Sequence, residues 1–404
     1  MIRRRPDEED LYSWDLVPGA KSVCGKCFDD YALRKFVDAQ VSAPRCSYCG
    51  RRSRQPGLPI AADINTVIEF IVQGLEVEWN DPAGELPYES REGGYLGHFV
   101  DTQDLIEGIG FVENENLAAD IAGAIRTTHW CKRDYFGVSD SQALLSTWRR
   151  FTEVVKHQSR YLFFDQPKDD LWGPPEIPLA QMLDRLGNVV RNAGIVASLP
   201  KGASLWRARI HEKSSSFGSP EELGPPRIEL ARSSNRMSPA GIVMFYGATK
   251  SVVALAETSH SQLDCPVATT ARWDLARELT ILDLSKPMPL PSIFDETRRH
   301  LRQAILFLQD FVKDLSTPID HDGREHCEYA PTQVVTEYFR RRFRTESGIA
   351  IDGIFYPSAR YRGGVCCVLF CDRDHCVEPD SGDKEPRERW LVMSKRSVRR
   401  RRLG

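Results

Sequence analysis

RMSPAGIVMFYGATKSVVALAE, residues 236–257, changes its pattern twice. A small polar stretch with Pro239 and Gly241 reads as a loop, IVMFY as a β-prone run and VVALAE as the start of a helix. Arg236, Tyr246 and Glu257 thus fall in one compact unit. On either side of it SLWRARI, ATTARWDL, ELTILDL, GIFY and VCCVLF are short β-branched or aromatic runs, expected as strands. Two helical patterns intervene. LRQAILFLQDFVKDL sets Leu301, Ile305, Leu308, Val312 and Leu315 on one stripe, and residues 329–343 carry Pro331 where a missing amide proton costs little. Strands and helices do not alternate as βαβ units, so the fold class is α+β: a mixed sheet with helices, behind a mostly helical N-terminal half.

In that N-terminal half TVIEFIVQGL, NLAADIAGAI and SQALLSTWRRFTEVV place apolar residues three or four apart. In the last, Leu144, Trp148, Phe151 and Val155 share one face, and Arg150 and His157 lie two turns apart. Further upstream, Cys24 and Cys27 (CGKC) and Cys46 and Cys49 (CSYC) have the spacing of a four-cysteine zinc ribbon. Four thiolates close a tetrahedral shell with no place for a catalytic water, so structural zinc is expected. DQPKDDLWGPPEIP, residues 165–178, is rich in proline and charge and reads as a crossing between domains. The expected organisation is a zinc module over 1–58, a helical domain over 59–168, a linker over 169–190, a catalytic domain over 191–380 and a basic tail over 381–404.

With 404 residues the chain exceeds one ordinary core, and 41% apolar with 27% charged residues is a globular composition. No apolar run nears the roughly 18 residues that span a bilayer. The basic residues of MIRRRPDEEDLYSWD lack an apolar stretch behind them, so a cytoplasmic protein with reduced thiols is expected. Cys131, Cys265, Cys327, Cys366, Cys367, Cys371 and Cys376 show no metal spacing and read as core or free thiols. The net charge of −3 gives no general case for nucleic acid. KRSVRRRR, residues 395–402, reads as a solvated end, with contact to nucleic acid or another anionic partner as the alternative. Walker, GxGxxG, HExxH and GxSxG motifs are absent.

In chain order the C-terminal half holds LWRAR with Arg207 and Arg209, NRMSPAG with Arg236, Tyr246 and ALAE with Glu257, then YAPTQ, and DGIFYPSARYRGG with Ser358. Each residue alone is ordinary. The series over about residues 199–371 resembles the RES domain family, named for its Arg, Glu and Ser. That resemblance implies a fold related to ADP-ribosyltransferases and NAD-degrading toxins, several acting by phosphorolysis. It places Arg207, Tyr246, Glu257 and Ser358 at the motif positions and Arg236 at the family's loop arginine. The long N-terminal extension departs from short toxins paired with an antitoxin and resembles members with a HEPN-like N-terminal segment. Arg150 and His157 resemble the R-x(4-6)-H motif of HEPN ribonucleases.

These residue types suit NAD chemistry. Arginine forks pair with the pyrophosphate, which makes Arg207 and Arg236 candidate anion clamps. Tyr246 offers a ring face and a phenol to nicotinamide or ribose. Breaking the nicotinamide–ribose bond builds positive charge on the sugar, which Glu257 would stabilise. Ser358, beside Gly363 and Gly364, would hold a phosphate or ribose oxygen. The expected activity is NAD cleavage to nicotinamide, by phosphorolysis with inorganic phosphate as co-substrate or by hydrolysis, in a toxin or defence effector that depletes NAD. Arg209, Arg360 and Arg362 add charge that favours phosphate, with ordinary surface arginines as the alternative reading. The expected partners are an antitoxin or other inhibitory protein, and a second copy of the chain. The alternatives are ADP-ribosylation of a protein target, ribonuclease action through Arg150 and His157, and a zinc-containing binding protein with an inactive RES fold.

Overall fold

A computed structural model of the chain describes residues 13–91, 93–135, 137, 139–163, 177–258, 267–317, 324–378 and 388–402. The chain forms two compact units: Met1–Ser139 with Leu290–Arg302, and Asp140–Pro289 with Gln303–Gly404.

The first unit is built on four helices: α1 (Tyr31–Ala39), α2 (Ile64–Glu78), α3 (Thr102–Ile109) and α4 (Glu115–Ala124). Each begins where a short acceptor meets orphan amides: Asp30, Asp63, Asp101 and Asn114 accept from backbone N–H groups of the first turn. Their apolar stripes, with Leu33, Ile68, Ile71 and Leu117, meet in one core. Phe294 enters that core from the segment 290–302, with its ring 5.1 Å from Phe111 and its edge where a Cβ on Gly74 would stand.

The second unit contains a nine-stranded mixed sheet. Its strands are β1 (Val196–Leu199), β2 (Ser204–His211), β3 (Phe245–Ala248), β4 (Val267–Leu275), β5 (Leu279–Asp283), β6 (Gly353–Pro357), β7 (Val365–Leu369), β8 (Cys376–Val377) and β9 (Leu391–Arg402). Their order is β8-β9-β4-β2-β3-β7-β6-β5-β1, antiparallel except for β5 with β6 and β8 with β9. The longer helices are α5 (Asp140–His157), α6 (Leu179–Ala193), α7 (Ser251–Thr258), α8 (Arg302–Ser316) and α9 (Ala330–Arg341). The helices bury Trp148, Phe151, Leu186, Phe311 and Phe339 against residues of the sheet such as Ala248 and Val368. A second cluster, with Leu205, Phe245, Trp273 and Leu391, is built on other strand positions.

The compact units depart from the expected segments in several places. Helix α5 belongs to the second unit, because Leu144, Trp148, Phe151, Val154 and Val155 are buried in its core. The expected linker over 169–190 holds most of α6, whose Met182, Leu186 and Val190 are core residues; residues 165–176 lie outside the described ones. The segment 290–302 leaves the expected catalytic domain for the first unit. Residues 391–402, expected within a solvated tail, form β9, which pairs with β4 from Leu275↔Leu391 to Val267↔Arg402. The sheet supplies the reason: β4 is long enough to carry a partner on both edges, and Leu391 and Met393 are buried beside it. No helix of the described residues is long and apolar enough to cross a membrane.

Candidate active site

Strands β2 and β3 are held together by a single residue pair, Trp206↔Ala248. Beyond it the ladder opens, and the η1 nitrogen of Arg207 donates to the carbonyl of Tyr246 at 2.7 Å across the gap. A cleft of about 820 Å³ lies there, lined among others by Arg207, Arg209, Arg236, Tyr246, Glu257 and Arg360. A parted ladder leaves backbone and side chains facing a cavity, a common way for a sheet to make a binding site.

Arg207 lies over the Phe245 ring at 5.3 Å, and its Nε is closed from solvent with no hydrogen-bond partner. Burial pushes its pKa down to about 10, so the guanidinium stays charged at neutral pH. Among the described residues no carboxylate pairs with it. Arg209 donates to the Glu222 carbonyl at 2.6 Å and packs over Phe217. Among the described residues four arginines and two glutamates line the cleft, Glu325 being the second acid, a balance that favours anions.

Arg236 is brought to the same cleft but is engaged elsewhere. Its two η nitrogens donate to the carbonyls of Leu315 at 2.7 Å and Thr317 at 2.9 Å, at the C-terminal end of α8, where orphan carbonyls welcome a cation. It also faces the Tyr329 ring at 5.5 Å. Its loop is pinned by the YAPTQ motif of α9. The Thr332 hydroxyl donates to the Arg236 carbonyl, and Gln333 Nε2 donates to Ser234 Oγ at 3.1 Å and to the Asn235 carbonyl at 2.8 Å.

Tyr246 exchanges a hydrogen bond of 2.8 Å with Ser238 Oγ, and burial raises its pKa, keeping it a phenol. Glu257 sits in the last turn of α7, and its Oε1 accepts from the Ser358 hydroxyl. Ser358 lies at the turn between β6 and β7, where its Oγ also accepts from the amides of Tyr361 at 3.0 Å and Arg360 at 3.3 Å. Gly363 has φ +72°, and a Cβ on Gly364 would stand 2.9 Å from both methyls of Val253. The two glycines therefore let the Ser358 turn lie directly on α7, which carries Glu257.

The structure thus brings Arg207, Arg236, Tyr246, Glu257 and Ser358 to one place, from motifs spread along the second unit. It gives Ser358 the carboxylate of Glu257 as its partner. Sequence reading missed Ser238, Tyr356 and Cys366, which also belong to the cleft. YAPTQ carried the signal for the loop anchor, but with no role attached. The thiol of Cys366 is pushed up by burial and then by Glu257, so it is neutral and no thiolate nucleophile. Arg150 and His157 lie on α5, outside the lining of the cleft.

In the first unit Cys24, Cys27, Cys46 and Cys49 gather their sulfurs within 4.8 Å of one another. The Sγ separations are 3.9 Å for Cys24 and Cys27, and 3.6 Å for both Cys24 and Cys49 and Cys27 and Cys46. A metal–sulfur bond of about 2.3 Å gives tetrahedral edges of about 3.8 Å, whereas a disulfide needs about 2.05 Å. The geometry fits a four-thiolate metal site. The hydrogen bond between Cys46 and Cys27 pushes the Cys46 thiol down and the Cys27 thiol up, and burial raises Cys24, so these sulfurs titrate together. Tyr48, in the second CxxC, donates to Asp120 of α4 at 2.8 Å and ties the module to the helical core. Cys131, Cys366, Cys367, Cys371 and Cys376 are buried free thiols and Cys327 is half-buried; Cys265 lies outside the described residues.

No curated protein and no solved structure matches the chain. Comparison with protein families finds HEPN/RES N-terminal domain 1 over residues 39–169 and the RES domain over residues 204–390. The first match takes in α5, and the second stops one residue before β9. A RES domain supports an NAD-related, toxin-type function in general terms. The chain belongs to the RES family, in the form that carries a HEPN/RES N-terminal domain ahead of the RES domain.

Proposed function

We propose that the cleft cleaves the bond between nicotinamide and ribose in NAD, with inorganic phosphate as acceptor, and that the protein acts as a toxin or defence effector by depleting NAD. The observation that carries this is that an arginine whose buried Nε has no partner and a carboxylate held by Ser358 line one cleft at an opened strand pair. Arg207 supplies a cation without a protein counter-charge, suited to one phosphate of the pyrophosphate. Arg209 adds a second. Tyr246 supplies ring and phenol to the nicotinamide riboside. As the C–N bond breaks, its electron pair leaves with nicotinamide and positive charge grows on the sugar, which Glu257 stabilises. A phosphate oxygen then forms the new bond to that carbon, giving ADP-ribose-1''-phosphate and nicotinamide. The cleft volume lies in the upper part of the roughly 300–1,000 Å³ usual for ligand pockets, as a dinucleotide needs.

Arg236 contributes its charge and the shape of its loop more than a free fork, since its η nitrogens are engaged at α8. The four cysteines hold zinc, the metal that suits closed sulfur tetrahedra, in a structural role. The test is incubation of the purified protein with NAD, with and without phosphate, and mass analysis of products. Nicotinamide release that requires phosphate is expected, and Glu257→Gln abolishes it. Full turnover by the Gln variant would remove the mechanism; ADP-ribose alone would make water the acceptor, and ADP-ribosylated protein would make it a transferase. The HEPN/RES match contains Arg150 and His157, so RNA is included in the same assay. Cleavage lost in His157→Ala and kept in Glu257→Gln would assign it to α5.

A further inference from the structure

The strand β9 carries an edge that nothing described covers. Its neighbour β8 reaches only Leu391 and Val392, while β4 occupies the opposite edge as far as Arg402. The register with β4 jumps from Arg272↔Ser394 to Thr270↔Arg399, so residues 395–398 bulge opposite Ala271. Ser397 holds that bulge: its Oγ accepts from the Arg272 amide at 2.8 Å and donates to the Ser394 carbonyl at 2.6 Å. Beyond the bulge Arg399, Arg400, Arg401 and Arg402 are ordered in a strand, and all four are exposed. None has a carboxylate partner among the described residues. Their recorded side-chain bonds go to backbone carbonyls, from Arg399 to those of Arg396 and Val398 and from Arg400 to that of Lys213.

Alternation along a strand sends Arg399 and Arg401 to one face of the sheet and Arg400 and Arg402 to the other. A nucleic acid lying on one face would meet only half of this charge. A strand added to the edge places its side chains on both faces, about 5 Å from their cross-strand neighbours, while its backbone takes up the open N–H and C=O groups. We propose that the β9 edge docks an acidic, extended polypeptide segment as an added strand. Four adjacent arginines also repel a second β9 edge, which is how charged edges prevent self-pairing. Arg400, Thr269 and Arg209 stand in register across β9, β4 and β2, so a segment docked beyond β9 lies three strand spacings, about 14 Å, from the backbone of a cleft arginine.

The test uses the full chain and fluorescence anisotropy. The probes are a labelled octapeptide of threonine and valine with paired glutamates, its analogue methylated on alternate backbone nitrogens, and an eight-nucleotide oligothymidylate. The glutamate peptide is expected to bind, and both other probes at least about ten-fold more weakly, since methylation removes strand pairing and the oligonucleotide cannot pair. Arg399→Ser with Arg401→Ser is expected to weaken the peptide by about ten-fold. No binding of the peptide, or equal binding of the methylated analogue, overturns strand addition. Tighter binding of oligothymidylate overturns the polypeptide and makes nucleic acid the occupant. Comparison of the two peptides needs only the unmodified protein, and none of these readouts depends on NAD turnover.

Discussion

Ser358→Ala removes one hydroxyl and tests how the proposed carboxylate is held. In the structure that hydroxyl donates to Glu257 Oε1 and accepts from the amides of Arg360 and Tyr361. A hydrogen bond to a charged group contributes about 1.5–3 kcal/mol, which corresponds to a factor of about 10–160 in rate if it acts in the transition state alone. Ser358 is half-buried and water can replace part of the bond, so the lower part of that range applies, about 10–30-fold. The loss should fall on kcat, because a freed carboxylate wanders from the developing charge while the arginines still bind the pyrophosphate. Nicotinamide release is measured across a range of NAD concentrations for wild type, Ser358→Ala and Ser358→Thr. KM is expected to stay within about three-fold, and threonine, which keeps the hydroxyl, should recover most of the rate. An alanine variant with unchanged kcat, or one whose whole defect lies in KM, would refute the positioning of Glu257 by Ser358.

Three further outcomes are expected. Arg207→Lys loses the planar fork and the contact across the opened ladder, so NAD binding by calorimetry weakens about ten-fold or more, and an unchanged Kd would remove Arg207 as the clamp. One zinc per chain should be found by elemental analysis, with a strong chelator or Cys24→Ser lowering the melting temperature of the first unit; full stability without metal would make the cluster four plain thiols. Glu78→Gln breaks the links to Arg302 and Lys132, at a cost of about 1–2 kcal/mol given that Glu78 and Arg302 are mostly buried and Lys132 is not. Burial raises the Glu78 pKa, but the bond from Arg302 and the charge of Lys132 outweigh it and hold the group below its ordinary value. Its stabilisation is therefore complete above the unfolded carboxylate range and fades as pH falls through the lowered folded value. Melting curves of wild type and variant should converge in acid, and a gap independent of pH would contradict this sign.

The local patterns of the sequence were good guides where a residue's neighbours in the chain are also its neighbours in space. CGKC and CSYC closed into one cluster because each CxxC turn fixes two sulfurs by itself. The helices α2, α4, α5 and α8 stand on the expected apolar stripes. Patterns gave less warning where the partner is distant. KRSVRRRR reads as solvated because its charge is local information, whereas the free edge of β4 that makes it a strand lies more than a hundred residues away. Phe294 falls within the expected catalytic domain over 191–380, but it fills a gap over Gly74 in the other unit's core.

The candidate site shows the same division, and it changes the weight of individual residues. Arg207, Arg236, Tyr246 and Glu257 line the cleft and Ser358 joins it through Glu257, yet their chain order could not say which of them are free to act. Arg207 and Arg236 look equivalent as arginines. Arg236 has its η nitrogens engaged by carbonyls at the end of α8, whereas Arg207 spends one on Tyr246 and has a buried Nε with no partner. An unpaired buried donor costs about 1–3 kcal/mol, a cost tolerated where a ligand relieves it or where the strain serves function. The ladder that parts beyond Trp206↔Ala248 points the same way, since closing it would restore strand bonds at the expense of the cleft. Stability has been given up at the place where Arg207, Tyr246 and Glu257 meet, and that coincidence argues for a binding site more strongly than any of the motifs alone.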